Sequence, residues 1–393
     1  MFGLRRFSPI IALMFNLKQQ FMLDPSVAFL NHGSFGATPK PVFREYQRWQ
    51  RELERQPVEF LGRRHNDLMR SAREALAGYL GAKAGNLVFA QNATIALNIV
   101  ARSLELGSGD EVLSTDHEYG ALDRTWRFLS RERGFTYINQ PVSLDSHEAF
   151  VESFWRGVTP KTRVVFFSQI TSPTATLFPV EKIIQRAREK NIITVVDGAH
   201  VPGQIPLRLD SLGADFYGGN LHKWLCAPKG AGFLYARPEV QPLLKPLVVS
   251  WGYESETPGD SLFIDHHEWW GTRDIAAFLA VPKAIQFLQD HDWDGVRAAC
   301  HRLAVDAWRR IHALTGVSPL HSDPEVWFAQ MSLISLPADT DLAALKARLY
   351  DEFRVEIPVV EWNKNKLIRL SAQGYNSRRD VDRLCAALKK LLQ

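Results

Sequence analysis

The chain is short of cysteine, of long apolar runs and of any block of one charge. Its three cysteines, Cys226, Cys300 and Cys385, are far apart and odd in number. That argues against a disulfide frame or zinc ribbon and points to a reducing compartment, the cytoplasm. The 47 Lys and Arg are interspersed with 43 Asp and Glu for a net charge of +4, so no basic stripe exists to track a nucleic-acid backbone. No segment has the uninterrupted apolar length of a membrane helix. No strand is followed by Gly-x-Gly-x-x-Gly and no Walker loop occurs, which removes the main support for nicotinamide and nucleotide-triphosphate readings. Repeats and low-complexity tracts are missing too. The run Asp265-His266-His267-Glu268 is the one candidate for a metal; adjacent histidines diverge on regular structure and no ligand pair at helical spacing accompanies them, so no metal is expected. At the amino terminus, Arg5 and Arg6 precede a short apolar run, Pro9–Phe15, similar to a weak signal sequence. It is too short to span a bilayer and no small-residue cleavage site follows. A loosely ordered extension over residues 1–22, or a start at Met14 or Met22, fits better.

What is present is the composition of a folded enzyme, 46% apolar and 23% charged over 393 residues, long enough for a large α/β domain and a smaller one. From Asn86 to Lys245 short β-branched runs alternate with amphipathic stretches, the pattern of βαβ units in a parallel sheet. Strands are expected at Asn86–Ala90, Asp110–Ser114, Thr162–Phe167, Ile192–Val196 and Ala231–Tyr235, the last closing the sheet, with helices at Thr94–Leu104 and Val180–Lys190. Beyond about residue 280 long amphipathic helices dominate: Ile275–Asp290, Trp293–Leu314, Asp341–Phe353 and Arg378–Leu392, with strands at Ala329–Leu336 and Leu367–Ser371. The expected division is a large domain over 23–278 and a small α+β domain over 279–393, with 23–60 packing on the small one.

Three polar clusters fall just past expected strand ends, where open α/β sheets place ligands. Gln91-Asn92-Ala93-Thr94 opens a helix whose free N–H groups suit a phosphate, although any N-cap looks similar. Asp197-Gly198-Ala199-His200 follows a buried strand; a carboxylate there needs a cationic or donating partner, or else caps the next turn. Gly218-Gly219-Asn220-Leu221-His222-Lys223-Trp224 sets a lysine among aromatic rings and glycines, where its amine can be desolvated and form a Schiff base. Together they describe a phosphate seat, an acid for a pyridinium nitrogen and a lysine for an aldimine.

With Phe29-Leu30-Asn31-His32-Gly33-Ser34-Phe35-Gly36 and Leu367-Ile368-Arg369-Leu370-Ser371 added, the chain resembles the class V aminotransferase family of fold-type I pyridoxal 5′-phosphate (PLP) enzymes. Within it the chain is most similar to the isopenicillin N epimerase-like branch. The resemblance implies a large domain with a mainly parallel seven-stranded sheet between helices, plus a smaller α+β carboxyl-terminal domain. It implies PLP on Lys223, with Asp197 at the pyridine nitrogen, His200 and Gln169 at the phenolic oxygen, and His117 stacked on the ring, with Tyr119 as its rival. Ala93, Thr94, Asn220 and His222 would bind the phosphate, joined by Thr272 of a neighbouring subunit in a homodimer with shared sites. Arg369 would grip the substrate carboxylate, and Asn31 and His32 would line the substrate entrance. Because 354–366 contains no cysteine, cysteine desulfurase activity is not expected; Cys226 is read as a packing residue.

The reaction implied is loss of the α-proton of an amino acid to the freed lysine amine, giving a carbanion. Epimerisation, with His117, Tyr119 or His32 as proton donor on the opposite face, ranks ahead of Cβ–S lyase chemistry (cysteine-sulfoxide or hercynylcysteine-sulfoxide lyase-like) and transamination, by analogy with the branch. A non-enzymatic PLP sensor is disfavoured because no helix-turn-helix fits before Asn31, and a decayed scaffold because every central residue is present.

Overall fold

The computed structural model describes residues 17–321 and 323–392. The described residues divide into two compact units: residues 42–173 with 177–285, and residues 17–41 with 174–176, 286–321 and 323–392.

The larger unit is built on a seven-stranded sheet of order β2-β8-β7-β6-β5-β3-β4. Its strands are β2 (Leu87–Ala90), β3 (Glu111–Thr115), β4 (Thr136–Gln140), β5 (Thr162–Ser168), β6 (Ile193–Asp197), β7 (Phe216–Asn220) and β8 (Gly232–Ala236). β4, β3, β5, β6 and β7 are joined by parallel pairings, while β8 runs antiparallel to both its neighbours. The apolar runs of β5 and β6 are buried nearly throughout, as expected of strands covered on both faces. The helix Val180–Glu189 between them buries Val180, Ile183, Ile184 and Ala187, a stripe at helical spacing that covers the sheet. Parallel pairing brings the carboxyl ends of β3, β5, β6 and β7 to one edge, and with them Thr115, Ser168, Asp197 and Asn220.

Two strands of this sheet were not anticipated. β4 reads Thr-Tyr-Ile-Asn-Gln, an edge strand without an apolar run. β7 carries Gly218 and Gly219, poor strand formers; a Cβ at 218 would lie 2.7 Å from Leu97 Cγ, so glycine lets the helix Ala93–Ser103 approach the sheet. β8 does not close the sheet as expected but lies inside it, between β2 and β7. The expected helix Ile275–Asp290 is two pieces, Ala276–Leu279 and Val281–Gln289, with Pro282 lacking the N–H that a continuous helix would use.

The smaller unit holds a three-stranded antiparallel sheet of order β11-β12-β9 and the parallel pair β1-β10. β1 is Ala28–Phe29, β9 Met331–Ser335, β10 Val355–Glu356, β11 Val359–Trp362 and β12 Asn365–Ser371. The helices Trp293–Thr315, Leu342–Asp351 and Arg378–Leu391 belong to it. Of residues 17–22, expected within a loose extension, Leu17 and Phe21 are packed instead: Leu17 is fully buried and Phe21 meets Tyr375 edge-on at 4.9 Å. Apolar side chains here find a core to bury in. Residues 1–16, which carry Arg5, Arg6 and the run from Pro9, lie outside the described residues.

Candidate active site

In the larger unit, the expected residues gather at the sheet edge formed by the strand ends. Asn92 caps the helix Ala93–Ser103, its Oδ1 accepting the Ile95 N–H at 2.9 Å. The Ala93 N–H donates to Asn220 Oδ1 at 2.8 Å. Ala93 therefore departs from expectation, since its donor is engaged within the protein. Among the described residues Thr94 N–H and hydroxyl and Asn220 Nδ2 are left without acceptors, beside the positive end of the helix. His222 Nδ1 lies 3.1 Å from the Ala231 carbonyl, and burial, then the Lys223 charge, push its pKa down to about 4.

Asp197 ends β6 between Ser168 and Gly218. It is 3% exposed, and its Oδ1 accepts the Ala199 N–H at 2.8 Å. Burial pushes its carboxyl up to about 6, against the opposing pull of that N–H and of Lys223. Lys223 Nζ sits 3.1 Å from His200 Nε2, and the Trp224 indole N–H reaches His200 Nδ1 at 3.3 Å. Gln169 follows β5, its Oε1 accepting the Tyr217 hydroxyl at 2.7 Å. His117, just past β3, is 1% exposed and held neutral, its pKa pushed down to about 3 by burial, with its ring edge-on to Phe178 at 5.5 Å. Tyr119 is 41% exposed and precedes the helix Gly120–Arg133. Thr272 is exposed and makes no polar contact within the described chain.

Three buried residues of this edge escaped the sequence reading. Glu118 accepts hydrogen bonds from the Thr115 and Ser168 hydroxyls, each at 2.6 Å. Burial pushes its carboxyl up to about 8; the two hydroxyls oppose the rise and the Asp197 charge adds to it. Thr115 at the end of β3 and Glu118 three residues on were the available signal. Tyr217 and Trp224 are the others, and nothing in an apolar-looking strand or a single indole announces a polar task. His267 and Glu268, from the metal-like run, are buried; Glu268 pairs with Arg73 at 2.6 Å.

The remaining expected residues lie in the smaller unit. Arg369, on β12 opposite Leu333, is 7% exposed and donates from Nη2 to Ser34 Oγ at 3.0 Å. Ser34 in turn donates to Asn31 Oδ1 at 2.5 Å, and Asn31 Nδ2 donates to Glu356 at 3.0 Å. His32 is fully buried, with Nδ1 2.9 Å from the Tyr375 hydroxyl and Nε2 3.2 Å from Gln373 Nε2. Both of its ring nitrogens are engaged, so the expected place at a substrate entrance gives way to an internal tie.

Residues 36–384 match the model of the family described as aminotransferase class-V. The chain belongs to the class V aminotransferase family. Among relatives in this family, an isopenicillin N epimerase of Amycolatopsis lactamdurans is 37% identical over 390 residues, covering 96% of this chain and 98% of that one. One from Streptomyces clavuligerus is 35% identical over 389 residues, covering 95% and 96%. A probable cysteine desulfurase of Vibrio cholerae is 28% identical over 342 residues, covering 81% of each. The class V fold recurs in the cystine C–S lyase C-DES, solved with cysteine persulfide, at a TM-score of 0.84 and 22% identity over 94% of this chain and 99% of that one. A C-DES mutant with glycine covalently linked to its PLP cofactor gives 0.85 at 22% identity over 95% and 99%. The Escherichia coli cysteine desulfurase CsdA gives 0.80 at 20% identity over 99% of each chain.

These findings overturn the exclusion of cysteine desulfurase chemistry. That exclusion rested on one missing cysteine in 354–366, yet sulfur can leave Cβ as sulfide, carrying the C–S bonding pair, once charge builds at Cα, and that departure needs no cysteine. A single absent side chain therefore excludes nothing about the shared first step.

Proposed function

We propose that this class V protein is a PLP-dependent enzyme that works at Cα of an amino acid, with epimerisation as its reaction. The observation that carries the reading is the cluster of Lys223, His200 and the buried Asp197, with Lys223 Nζ 3.1 Å from His200 Nε2. Full-length similarity to two isopenicillin N epimerases supports the choice of reaction.

The residues fit the cofactor by donor type. The unengaged Thr94 N–H and hydroxyl, Asn220 Nδ2 and His222 suit a phosphate, and Asp197, with one oxygen accepting the Ala199 N–H, suits a protonated ring nitrogen. Bound there, PLP would accept the electron pair that remains when Cα loses its proton. Lys223 Nζ would take that proton, and Asp197 would supply the negative charge that keeps the ring nitrogen protonated. His117, neutral above about pH 3, offers an aromatic face and no acidic proton. Since His32 is tied at both nitrogens, Tyr119 is the remaining donor for the opposite face. Arg369 is assigned to the substrate carboxylate by its motif and planar fork.

A homodimer with Thr272 serving the partner's phosphate agrees with the exposure of large apolar side chains in the same unit, Val249 at 68% and Trp251 at 85%, which suit a contact face. Cβ–S lyase chemistry is the second reading, favoured by the likeness to relatives named for sulfur chemistry, such as a hercynylcysteine sulfoxide lyase that is 27% identical over 309 residues. No helix among the described residues is long and apolar enough to cross a membrane, and a cytoplasmic location is assigned on the scattered cysteines.

The deciding experiment incubates the PLP-loaded protein with a panel of L-amino acids in deuterium oxide, following deuterium at Cα, enantiomer formation, pyruvate and ammonia. Epimerisation predicts deuterated D-product without pyruvate. In Tyr119→Phe, deuterium exchange should persist while enantiomer formation falls. Pyruvate as the main product would replace the epimerase reading with the lyase one, and no exchange with any substrate would remove both.

A further inference from the structure

Two buried side chains beside the Lys223 cluster determine which way its polar groups face. Trp224 is fully buried, and an indole N–H can only donate. Its Nε1 lies 3.3 Å from His200 Nδ1, so Nδ1 is an acceptor and the single proton of the neutral ring sits on Nε2. That N–H faces Lys223 Nζ at 3.1 Å.

Tyr217 performs the same task for Gln169. Its hydroxyl is fully buried and 2.7 Å from Gln169 Oε1, and the phenol proton has no other acceptor among the described residues. Tyr217 therefore donates, and the Gln169 amide is held with Nε2 outward as a donor lacking an acceptor among the described residues. Gly198 makes this possible, because a Cβ there would lie 2.0 Å from Tyr217 Cε1 and 2.2 Å from its oxygen. The ring also stacks on Phe233, with centroids 6.2 Å apart and planes 10° from parallel.

We propose that Trp224 and Tyr217 are positioning residues, which lock His200 as an Nε2–H donor and Gln169 as an Nε2 donor so that the two serve one anionic oxygen beside Lys223. Gln169 and His200 follow neighbouring strands, β5 and β6. Identifying that oxygen as the phenolate of PLP rests on the function proposed above; the polarity of the donors does not.

The first test needs no cofactor. In cofactor-free protein labelled with 15N-histidine, with His200→Asn used to assign its signals, long-range 1H–15N correlation should show His200 with an unprotonated Nδ1 and a protonated Nε2. Trp224→Phe should shift the ring toward the Nδ1–H tautomer by roughly two- to tenfold, the value of one net hydrogen bond. A wild-type ring protonated on Nδ1, or signals unmoved in Trp224→Phe, overturns the proposal. In PLP-loaded protein, each lost donor should raise the pH midpoint of the visible band, because donors to an anionic oxygen favour the deprotonated form. The expected rise is roughly one pH unit for Trp224→Phe and for Tyr217→Phe, tenfold in proton affinity. Midpoints unchanged in both variants overturn the donor role. If the protein never takes up PLP while His200 keeps its Nε2 proton, the functional reading fails and the polarity stands.

Discussion

Asp197→Asn should make the cofactor-free protein more stable and the enzyme nearly inactive. The carboxyl is 3% exposed and its pKa is pushed from 3.8 to about 6 by burial. At 1.36 kcal/mol per pH unit, keeping it ionised at pH 8 costs the folded chain about 3 kcal/mol. The folded pKa lies above the unfolded one, so the folded state holds the extra proton between them. Stability is thus complete below about 3.8 and lost as pH rises through about 6. Asparagine retains an oxygen for the Ala199 N–H, 2.8 Å away, and removes the charge. That cost is already net of the attraction to Lys223, and the weaker acceptance by an amide oxygen trims the gain to about 1–3 kcal/mol in favour of the variant at pH 8, with little difference at pH 4. Urea denaturation of both cofactor-free proteins at the two pH values measures this. Turnover with PLP should fall by about a hundredfold or more, as for loss of a central electrostatic partner. A variant less stable than wild type at pH 8, or one with the same advantage at both pH values, would refute the reasoning.

Borohydride reduction of the PLP-loaded protein should bleach its visible band and leave the adduct on Lys223, and peptide mass spectrometry that finds it on Lys229 would sink the assignment. Arg369→Lys should lower kcat/KM by roughly ten- to a hundredfold through the lost two-pronged contact while PLP affinity holds; an effect confined to PLP affinity would move Arg369 away from the substrate. Thr272→Asp and Lys223→Ala should each be nearly inactive alone, yet co-expression should restore roughly a quarter of wild-type activity, since half of randomly paired dimers hold one intact site. Mixed dimers that form but stay inactive would end the shared-site assignment.

The local signals in the sequence were enough for most elements and for the chemistry of the central residues. Val-Val-Phe-Phe in β5 is apolar on every position and Ile-Thr-Val-Val in β6 on all but Thr194, so burial on both faces, and hence a parallel sheet, follows from composition alone. A carboxylate at the end of such a strand and a lysine among glycines and aromatic rings likewise carry their meaning locally. Elements whose stability comes from neighbours were not legible: β7 is a strand because Gly218 admits Leu97, and β8 is interior because β2 pairs beyond it. Which donors face which way was decided only by tertiary structure. The Ala93 N–H is engaged by Asn220, 127 residues away, His32 by residues more than 340 positions on, and Gln169 by a tyrosine 48 residues further along the chain. A hydrogen bond has direction as well as chemistry, and sequence spacing specifies the chemistry while packing sets the direction.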